Sequence, residues 1–98
     1  MENLTVELAP RAVRELDALP SALQLRIIKK IQTLSSDPTP RGTAIKRLHG
    51  FPQPTFRLRI GDYRVVFLLE KDKIVVLRII HRRELERALA TLLPKLKP

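Results

Sequence analysis

The sequence contains no cysteine and no tryptophan, and only one tyrosine and three phenylalanines stand among its 98 residues. The lack of cysteine excludes disulfide bonds and thiolate metal sites, and it fits the reducing environment of the cytoplasm. The chain also lacks an apolar run approaching the roughly 20 residues of a membrane-spanning helix, and it shows no signal peptide. A chain of this length can bury one modest core. We therefore expect a single cytoplasmic domain over residues 1–98, with no membrane partner.

Acidic residues are scarce where basic residues are most frequent. The formal net charge of +9 lies entirely in residues 41–98, which hold fourteen lysines and arginines but five aspartates and glutamates. Residues 1–40 hold five of each sign, so we expect Arg14 and Arg26 to lie outside any functional site. A basic excess of this kind indicates a polyanionic partner, such as nucleic acid or an acidic protein. Charge alone leaves open a second interpretation, in which the basic surface only keeps the protein soluble.

The hydrophobic pattern predicts short strands and three helices. Alternating apolar residues indicate a strand at residues 3–8, and helical spacing predicts two antiparallel helices before Asp37. A proline-rich loop follows, with one short ordered piece at Ala44–Leu48. The later elements are three strands, at residues 55–60, 63–70 and 73–80, and a C-terminal helix with Leu85, Ala88, Leu89 and Leu92 on one face. We predict an α+β fold in the order β-α-α-β-β-β-α, with the N-terminal helical hairpin packed on a mostly antiparallel sheet and a C-terminal helix.

The stretch TFRLRIGDYRVVF predicts a β-hairpin that is lined with arginines. Gly61 and Asp62 form a two-residue turn, with glycine at the first position as a type II′ turn prefers. This turn places Arg59 opposite Arg64 and puts Arg57 on the same face, while apolar residues fill the other face. Like charges directly opposite one another destabilise a sheet by a few tenths of a kcal/mol. An anion such as phosphate over this face would explain the arrangement, because the planar guanidinium group can donate two parallel hydrogen bonds.

Basic residues also occur in the loop before the hairpin and directly after the last strand, namely Arg41, Lys46, Arg47, His81, Arg82 and Arg83. These clusters are expected to converge with the hairpin arginines on one side of a small sheet and to form a site for a polyanion. The alternative is an exposed sheet face on which the arginine stems cover apolar neighbours and the charges provide solubility.

The region IKRLHGFPQPTFRLRIGDYRVVFLLEKDKIVVLRIIHRRELE resembles the signature of the RelE/ParE toxin superfamily, in its RelE-type branch. Its elements are a K-x-L-x-G step at Lys46, Leu48 and Gly50, an aromatic-R-x-R-x-G-D-Y-R-V-V hairpin, and an H-R-R-E segment after the last strand. The hairpin and the downstream H-R-R are fairly specific together and weak alone. The helices upstream match in position, so the resemblance extends over essentially the whole chain.

The resemblance implies the toxin component of a type II toxin–antitoxin system. Such a toxin is held inactive by an antitoxin encoded beside it, and it is expected to be a monomer when free and a hetero-oligomer with the antitoxin. RelE-type toxins are endoribonucleases (mRNA interferases) that depend on the ribosome and cut mRNA in the decoding site. The cut uses the ribose 2′-OH as nucleophile and requires neither a metal nor another cofactor.

Carried over to this chain, the resemblance implies that Arg64 and Arg82 stabilise charge at the scissile phosphate. Many relatives have a tyrosine four residues after the second arginine, and this chain departs from them with Glu86. Arg57 and Arg59 occupy positions where relatives have basic strand residues. The residues expected to bind RNA are these two and the other nearby basic residues, Lys46, Arg47 and Arg83.

Cleavage by 2′-OH attack also requires a base and an acid. Arginine is a poor candidate because it stays protonated. His81 is a candidate because histidine titrates near neutrality, and it could equally be a structural residue at the end of a strand. Glu86 could act as the base, or it could be a surface glutamate paired with Arg82 or Arg83. The sequence shows no Asp, Glu and His cluster at metal-ligand spacing, so we expect no metal site.

Two alternatives to the nuclease remain open at the level of sequence. ParE-type members of the superfamily bind DNA gyrase and are not nucleases, and the missing tyrosine is compatible with that assignment. The chain could also be a basic module that binds RNA or the ribosome and has no activity.

Overall fold

The computed structural model describes residues 4–38 and 44–96, so that Arg41 lies outside the described residues. The elements in chain order are β1 (Thr5–Leu8), α1 (Pro10–Asp17), α2 (Ser21–Ser36), β2 (Ile45–Leu48), β3 (Thr55–Ile60), β4 (Tyr63–Glu70), β5 (Lys73–His81), a 3₁₀ turn (Arg82–Glu84) and α3 (Leu85–Leu96). Within these ranges, no helix combines the length and the apolar character that crossing a membrane requires.

The strands form one mixed sheet in the order β1-β5-β4-β3-β2. β1 runs parallel to β5, whereas all other neighbours are antiparallel. An exposed ion pair joins the two parallel strands, with Lys73 Nζ 3.4 Å from Glu7 Oε2. The predicted α+β fold, in which a helical hairpin packs on a mostly antiparallel sheet, is confirmed.

The element order differs from the sequence prediction by one strand. The segment for which the sequence indicates only a short ordered piece forms β2, which pairs antiparallel with β3 at the edge of the sheet. Ile45 is 1% exposed and belongs to the core, so one apolar side chain anchors this strand. A four-residue strand with two charged members shows too little alternation to be recognised from its sequence.

α1 and α2 cover one face of the sheet, which we call the helical face. α2 turns Ile27, Ile31 and Leu34 inward at helical spacing, and all three are buried. α1 adds Ala12, and the strands supply the rest of this core cluster, with Ile45, Phe56, Leu58, Ile60, Val65, Phe67, Ile74, Val76 and Ile79. Because side chains alternate along a strand, the intervening residues of β3 and β4 lie on the opposite face.

The opposite face carries the hairpin arginines and also a smaller apolar patch. Val66, Leu68 and Ile80 lie there and are buried, although none belongs to the core cluster under α1 and α2. α3 contacts β5, and its Ala88 is likewise buried outside that cluster. We conclude that α3 covers the apolar part of this face, while the end near the β3–β4 turn is exposed.

A buried ion pair closes the edge of β5 where β1 ends. β1 pairs with β5 only as far as Val76, and beyond that point the N–H of Ile79 donates to Oε1 of Glu15 at 2.9 Å. Arg78 is 6% exposed, and it donates to Oε2 of the same carboxylate through Nε at 3.0 Å and Nη2 at 2.8 Å. Glu15 therefore takes the place of a strand neighbour and also compensates a buried charge.

Candidate functional site

The β3–β4 hairpin has the register that the sequence predicts. Arg59 lies opposite Arg64, and Arg57 lies on the same face two residues earlier. Gly61 has a φ of 57°, whereas Asp62 is not among the described residues with positive φ, which is the sign pattern of a type II′ turn. The tight turn brings the guanidinium groups of two neighbouring strands together at the exposed end of the sheet.

Arg64 is held in place by carbonyl groups of its own hairpin. Its Nη1 donates to the carbonyl oxygen of Gly61 and to that of Tyr63, both at 2.9 Å. A guanidinium group carries five N–H donors, two of which belong to Nη1. The Nε–Nη2 edge, which can make two parallel hydrogen bonds to a phosphate, takes part in neither of these bonds.

Three other arginines lie within electrostatic range of Arg64. Partial burial lowers the pKa of Arg64, and the positive charges of Arg57, Arg59 and Arg82 lower it further, while the carboxylate of Asp62 acts in the opposite direction. We call the four arginines the arginine cluster. Arginine stays protonated at neutral pH, so proton loss does not relieve the repulsion within the cluster, whereas a bound anion would.

Asp62 holds Arg82 beside the hairpin turn. The backbone N–H of Arg82 donates to the carbonyl oxygen of Asp62 at 2.7 Å, and Arg82 Nε lies 3.7 Å from Asp62 Oδ1. An exposed pair of this kind contributes little to stability, but it fixes the start of the 3₁₀ turn next to β4. The sequence assigns Asp62 only to the turn, and no spacing rule predicts that it faces an arginine 20 residues later.

The two basic residues of β2 point to different faces of the sheet. Lys46 pairs with Arg57 and therefore shares the face of the arginine cluster. Arg47 pairs with Phe56, and its guanidinium carbon lies 6.0 Å from the centroid of that ring. Arg47 is thus placed on the helical face, apart from the cluster that the sequence analysis expected it to join.

His81 ends β5 and caps the 3₁₀ turn. Its Nδ1 accepts a hydrogen bond from the backbone N–H of Arg83 at 3.3 Å, and its ring packs edge-on against Tyr63 with 5.5 Å between centroids. His81 therefore has the structural task that the sequence left open as one alternative. Because Nδ1 is the acceptor, the proton of the neutral ring is on Nε2, which in this state can donate a hydrogen bond but cannot accept a proton.

Arg83 and Glu86 have no described contact with the arginine cluster. Arg83 lines a depression beside Ala18 and Leu19 at the end of α1. Glu86 is exposed in the first turn of α3, and among the described residues it forms no ion pair with Arg82, whose carboxylate partner is Asp62.

One arginine from the neutral N-terminal part reaches the hairpin turn, contrary to expectation. Arg26 of α2 lies against Gly61, because a Cβ atom at that glycine would be 3.4 Å from both Nη1 and Nη2 of Arg26. Arg14, by contrast, is exposed on α1 and has no recorded contact with the turn. Net charge by region gave no signal for Arg26, since its approach to the turn depends on how α2 packs.

The site is a cationic surface that can hold and polarise a phosphodiester. Its positive charges come from five side chains on three strands and the 3₁₀ turn, namely Lys46, Arg57, Arg59, Arg64 and Arg82. Within the described ranges, no three His, Asp or Glu side chains are grouped as metal ligands would be. Arginines fixed in this way can stabilise the charge of a phosphoryl transition state.

Solved structures of toxins share this fold. The chain matches the archaeal RelE–RelB complex from Pyrococcus horikoshii OT3 with a TM-score of 0.71 and 27% identity, covering 82% of this chain and 96% of that one. It matches the toxin–antitoxin complex RelBE2 from Mycobacterium tuberculosis with a TM-score of 0.67 and 28% identity, covering 82% and 99%. Together with the arginine-lined hairpin, the fold defines the protein as a toxin of a toxin–antitoxin system.

The family is shown by the sequence itself. Residues 6–86 match the model of the ParE toxin of type II toxin–antitoxin systems, parDE, and the chain belongs to this family. It is also 37% identical over 84 residues to the protein named "Putative toxin RelE1" of Methanocaldococcus jannaschii. The aligned region covers 84% of this chain and 92% of that relative. The predicted membership of the RelE/ParE superfamily, with RelE-type relatives, is confirmed.

Proposed function

We propose that the protein is a metal-free, ribosome-dependent endoribonuclease that cuts mRNA in the cytoplasm. The observation that carries this proposal is the arginine cluster around Arg64, a guanidinium fixed by two carbonyl groups with its phosphate-binding edge available. A gyrase-binding surface has no need for this arrangement, whereas a phosphodiester in its transition state carries extra negative charge that such fixed donors stabilise.

The reaction that fits this site is an in-line displacement within the RNA strand. The ribose 2′-oxygen forms a bond to phosphorus, the bond from phosphorus to the 5′-oxygen breaks, and the products are a 2′,3′-cyclic phosphate and a 5′-hydroxyl end. A base must accept the 2′-OH proton, and an acid must protonate the leaving 5′-oxygen. Arg64 and Arg82 hold the charge on the phosphoryl oxygens, while Arg57, Arg59 and Lys46 bind the strand.

His81 is our candidate for proton transfer; Nε2 carries the proton of the neutral ring in this arrangement, so acceptance of the 2′-OH proton requires release of the hydrogen bond from Arg83 to Nδ1. Its Nδ1 is bound to the Arg83 backbone, so the ring is oriented before substrate arrives. Glu86, one helical turn beyond Arg82, is the second candidate, and its exposure leaves it free to approach a bound strand.

We propose an antitoxin as the partner that silences the site. The relatives from Pyrococcus horikoshii and Mycobacterium tuberculosis are described as complexes of a toxin with its antitoxin. Two modes of inhibition fit the structure. The antitoxin either covers the arginine cluster, or it displaces α3 from the apolar part of the opposite face, where Leu85, Leu89 and Leu92 are only partly exposed.

A second candidate function is inhibition of DNA gyrase. The matching family model is that of ParE toxins, and Glu86 replaces the tyrosine that the resemblance leads us to expect. Gyrase-dependent DNA breaks in cells that express this protein, with intact mRNA, would favour that function.

The deciding experiment measures single-turnover cleavage of an mRNA on programmed ribosomes, with binding measured separately. We expect Arg64→Ala and Arg82→Ala each to slow cleavage about a hundredfold or more, since one preorganised donor contributes on the order of 3 kcal/mol. Arg14→Ala is the matched control, because Arg14 is an exposed arginine outside the cluster. Equal losses at Arg14 and Arg64, or products with 5′-phosphate ends, would refute the proposed reaction.

A further inference from the structure

Arg26 extends the cationic surface around the tip of the hairpin. A Cβ atom at Gly61 would lie 3.4 Å from both terminal nitrogens of Arg26 and 3.7 Å from its guanidinium carbon, so the flat group rests against this glycine. The carbonyl oxygen of Gly61 accepts from Arg64 Nη1 at 2.9 Å. Two guanidinium groups, one from α2 and one from β4, therefore contact the same turn residue.

The packing of α2 explains how a residue outside the hairpin reaches its tip. Arg26 follows Leu23 by three positions, so the two side chains are neighbours on the surface of the helix. Leu23 and Tyr63 both pack against the core cluster, which brings this part of α2 close to the start of β4. Arg26 is exposed and directly precedes Ile27, which is fully buried, so its stem begins at the boundary between α2 and the sheet.

The charge of Arg26 is not compensated by a carboxylate in the described part of the chain. Asp62 is the nearest acidic residue in sequence to the glycine that Arg26 contacts, and its recorded ion pair is with Arg82. Arg26 has no ion pair with a described residue. A guanidinium kept at a turn without a carboxylate partner is suited to bind an anion.

We propose that Arg26 forms a second phosphate-binding position, which takes a phosphodiester of the same RNA strand next to the scissile one. The strand would then pass over the hairpin tip, with the reacting phosphate at Arg64 and Arg82 and a neighbouring phosphate at Arg26. Glycine at position 61 adds no side chain between the turn and the Arg26 guanidinium, which a Cβ atom there would touch at van der Waals distance. The inference rests on the proposed nuclease function and adds to it the path of the strand.

The test uses mRNA that carries a 2′-deoxy nucleotide at the mapped cleavage position, so that it binds on the ribosome without being cut. We expect Arg26→Ala to weaken binding of the toxin roughly tenfold at low salt, as the loss of one charge-assisted hydrogen bond does. The slope of the logarithm of the binding constant against the logarithm of the salt concentration should decrease in magnitude by about one. Single-turnover cleavage at saturating toxin should stay within about twofold of wild type, in contrast to Arg64→Ala. Arg26→Lys should restore part of the binding, and Arg14→Ala should leave it unchanged.

A single methylphosphonate in the mRNA, placed on either side of the scissile phosphate, identifies the contact. At the proposed position it should weaken binding by the wild-type toxin but not by the Arg26→Ala variant, because the two changes remove the same interaction. Additive effects at both positions would overturn the inference, since Arg26 would then act on ribosomal RNA or not at all.

If Arg64→Ala abolishes cleavage while Arg26→Ala binds like wild type at every salt concentration, this inference fails and the proposed function stands. Normal cleavage by Arg64→Ala would refute the proposed function itself.

Discussion

Two arginines of neighbouring strands, Arg78 and Arg64, have opposite environments. Arg78 is buried and makes bonds of 3.0 and 2.8 Å to the Glu15 carboxylate, which also accepts the N–H of Ile79. Arg64 has only carbonyl oxygens as recorded hydrogen-bond partners, and three other arginines lie near it. The first side chain completes the fold, whereas the second has no carboxylate partner of this kind within the described ranges and, under the proposed function, binds the phosphate of RNA.

The difference leads us to expect that Arg78, which has a carboxylate partner, serves the structure, and that Arg64, which has none among the described residues, serves the proposed function. Removal of one member of a buried pair such as Glu15 and Arg78 is expected to lower the free energy of unfolding strongly, since the other member is left buried and charged. The arginine cluster differs, because the positive charges of Arg57, Arg59 and Arg82 all act against that of Arg64. Each prediction below changes one side of this contrast.

The largest effect is expected for Glu15→Ala, which leaves Arg78 without a carboxylate and the Ile79 N–H without an acceptor. We expect the free energy of unfolding to fall by about 3–5 kcal/mol, measured by urea denaturation. The double variant Glu15→Leu with Arg78→Met removes both charges and should regain the part of the loss that comes from the unpaired arginine, while the Ile79 N–H stays without its acceptor. A loss below about 1 kcal/mol for Glu15→Ala would contradict the structural role of the pair.

A smaller effect is expected for Arg64→Lys. Lysine keeps the charge but cannot donate two parallel hydrogen bonds to a phosphate. The loss of one charge-assisted hydrogen bond costs about 1.5 kcal/mol of transition-state stabilisation. Single-turnover cleavage should fall roughly tenfold, to a rate between those of the wild type and the Ala variant, with an unchanged urea midpoint. A rate equal to that of Arg64→Ala would show that position 64 does more than carry charge.

The smallest change should follow from Arg59→Thr, and its two effects should have opposite signs. Removing one of two like charges that face each other should raise the free energy of unfolding by a few tenths of a kcal/mol. The same change should weaken RNA binding and reduce the salt slope by about one. A destabilised variant with unchanged RNA binding would show that Arg59 stabilises the fold and does not bind RNA.

The sequence predicts the sheet and the hairpin well because their signals are local. Alternation along β3 and β4 and the Gly61–Asp62 turn determine the register, and with it the pairing of Arg59 with Arg64. The contacts that the sequence does not reveal are long-range. Glu15 meets Arg78 across 63 residues, and Arg26 meets Gly61 only because of the way α2 packs on the sheet. The hydrophobic periodicity of the sequence does not predict such long-range contacts.

The predicted site shows the same division between local and tertiary information. Parity along the strands places Arg57, Arg59 and Arg64 on one face, and the same rule would have separated Lys46 from Arg47 had β2 been recognised as a strand. The sequence left His81 open between proton transfer and structure, and its cap on the 3₁₀ turn depends on backbone geometry that sequence spacing does not encode.

The parallel pairing of β1 with β5 has a consequence for the order of folding. Glu7 and Lys73, which join these strands, are 66 residues apart in the chain, and closure over such a separation is slow compared with formation of a hairpin. β3, β4 and β5 form consecutive hairpins and can assemble early. β1 is synthesised first and has no partner strand until β5 follows. We therefore expect the hairpin that carries the arginine cluster to form before β1 joins the sheet, and this long-range pairing to be the slowest step of folding.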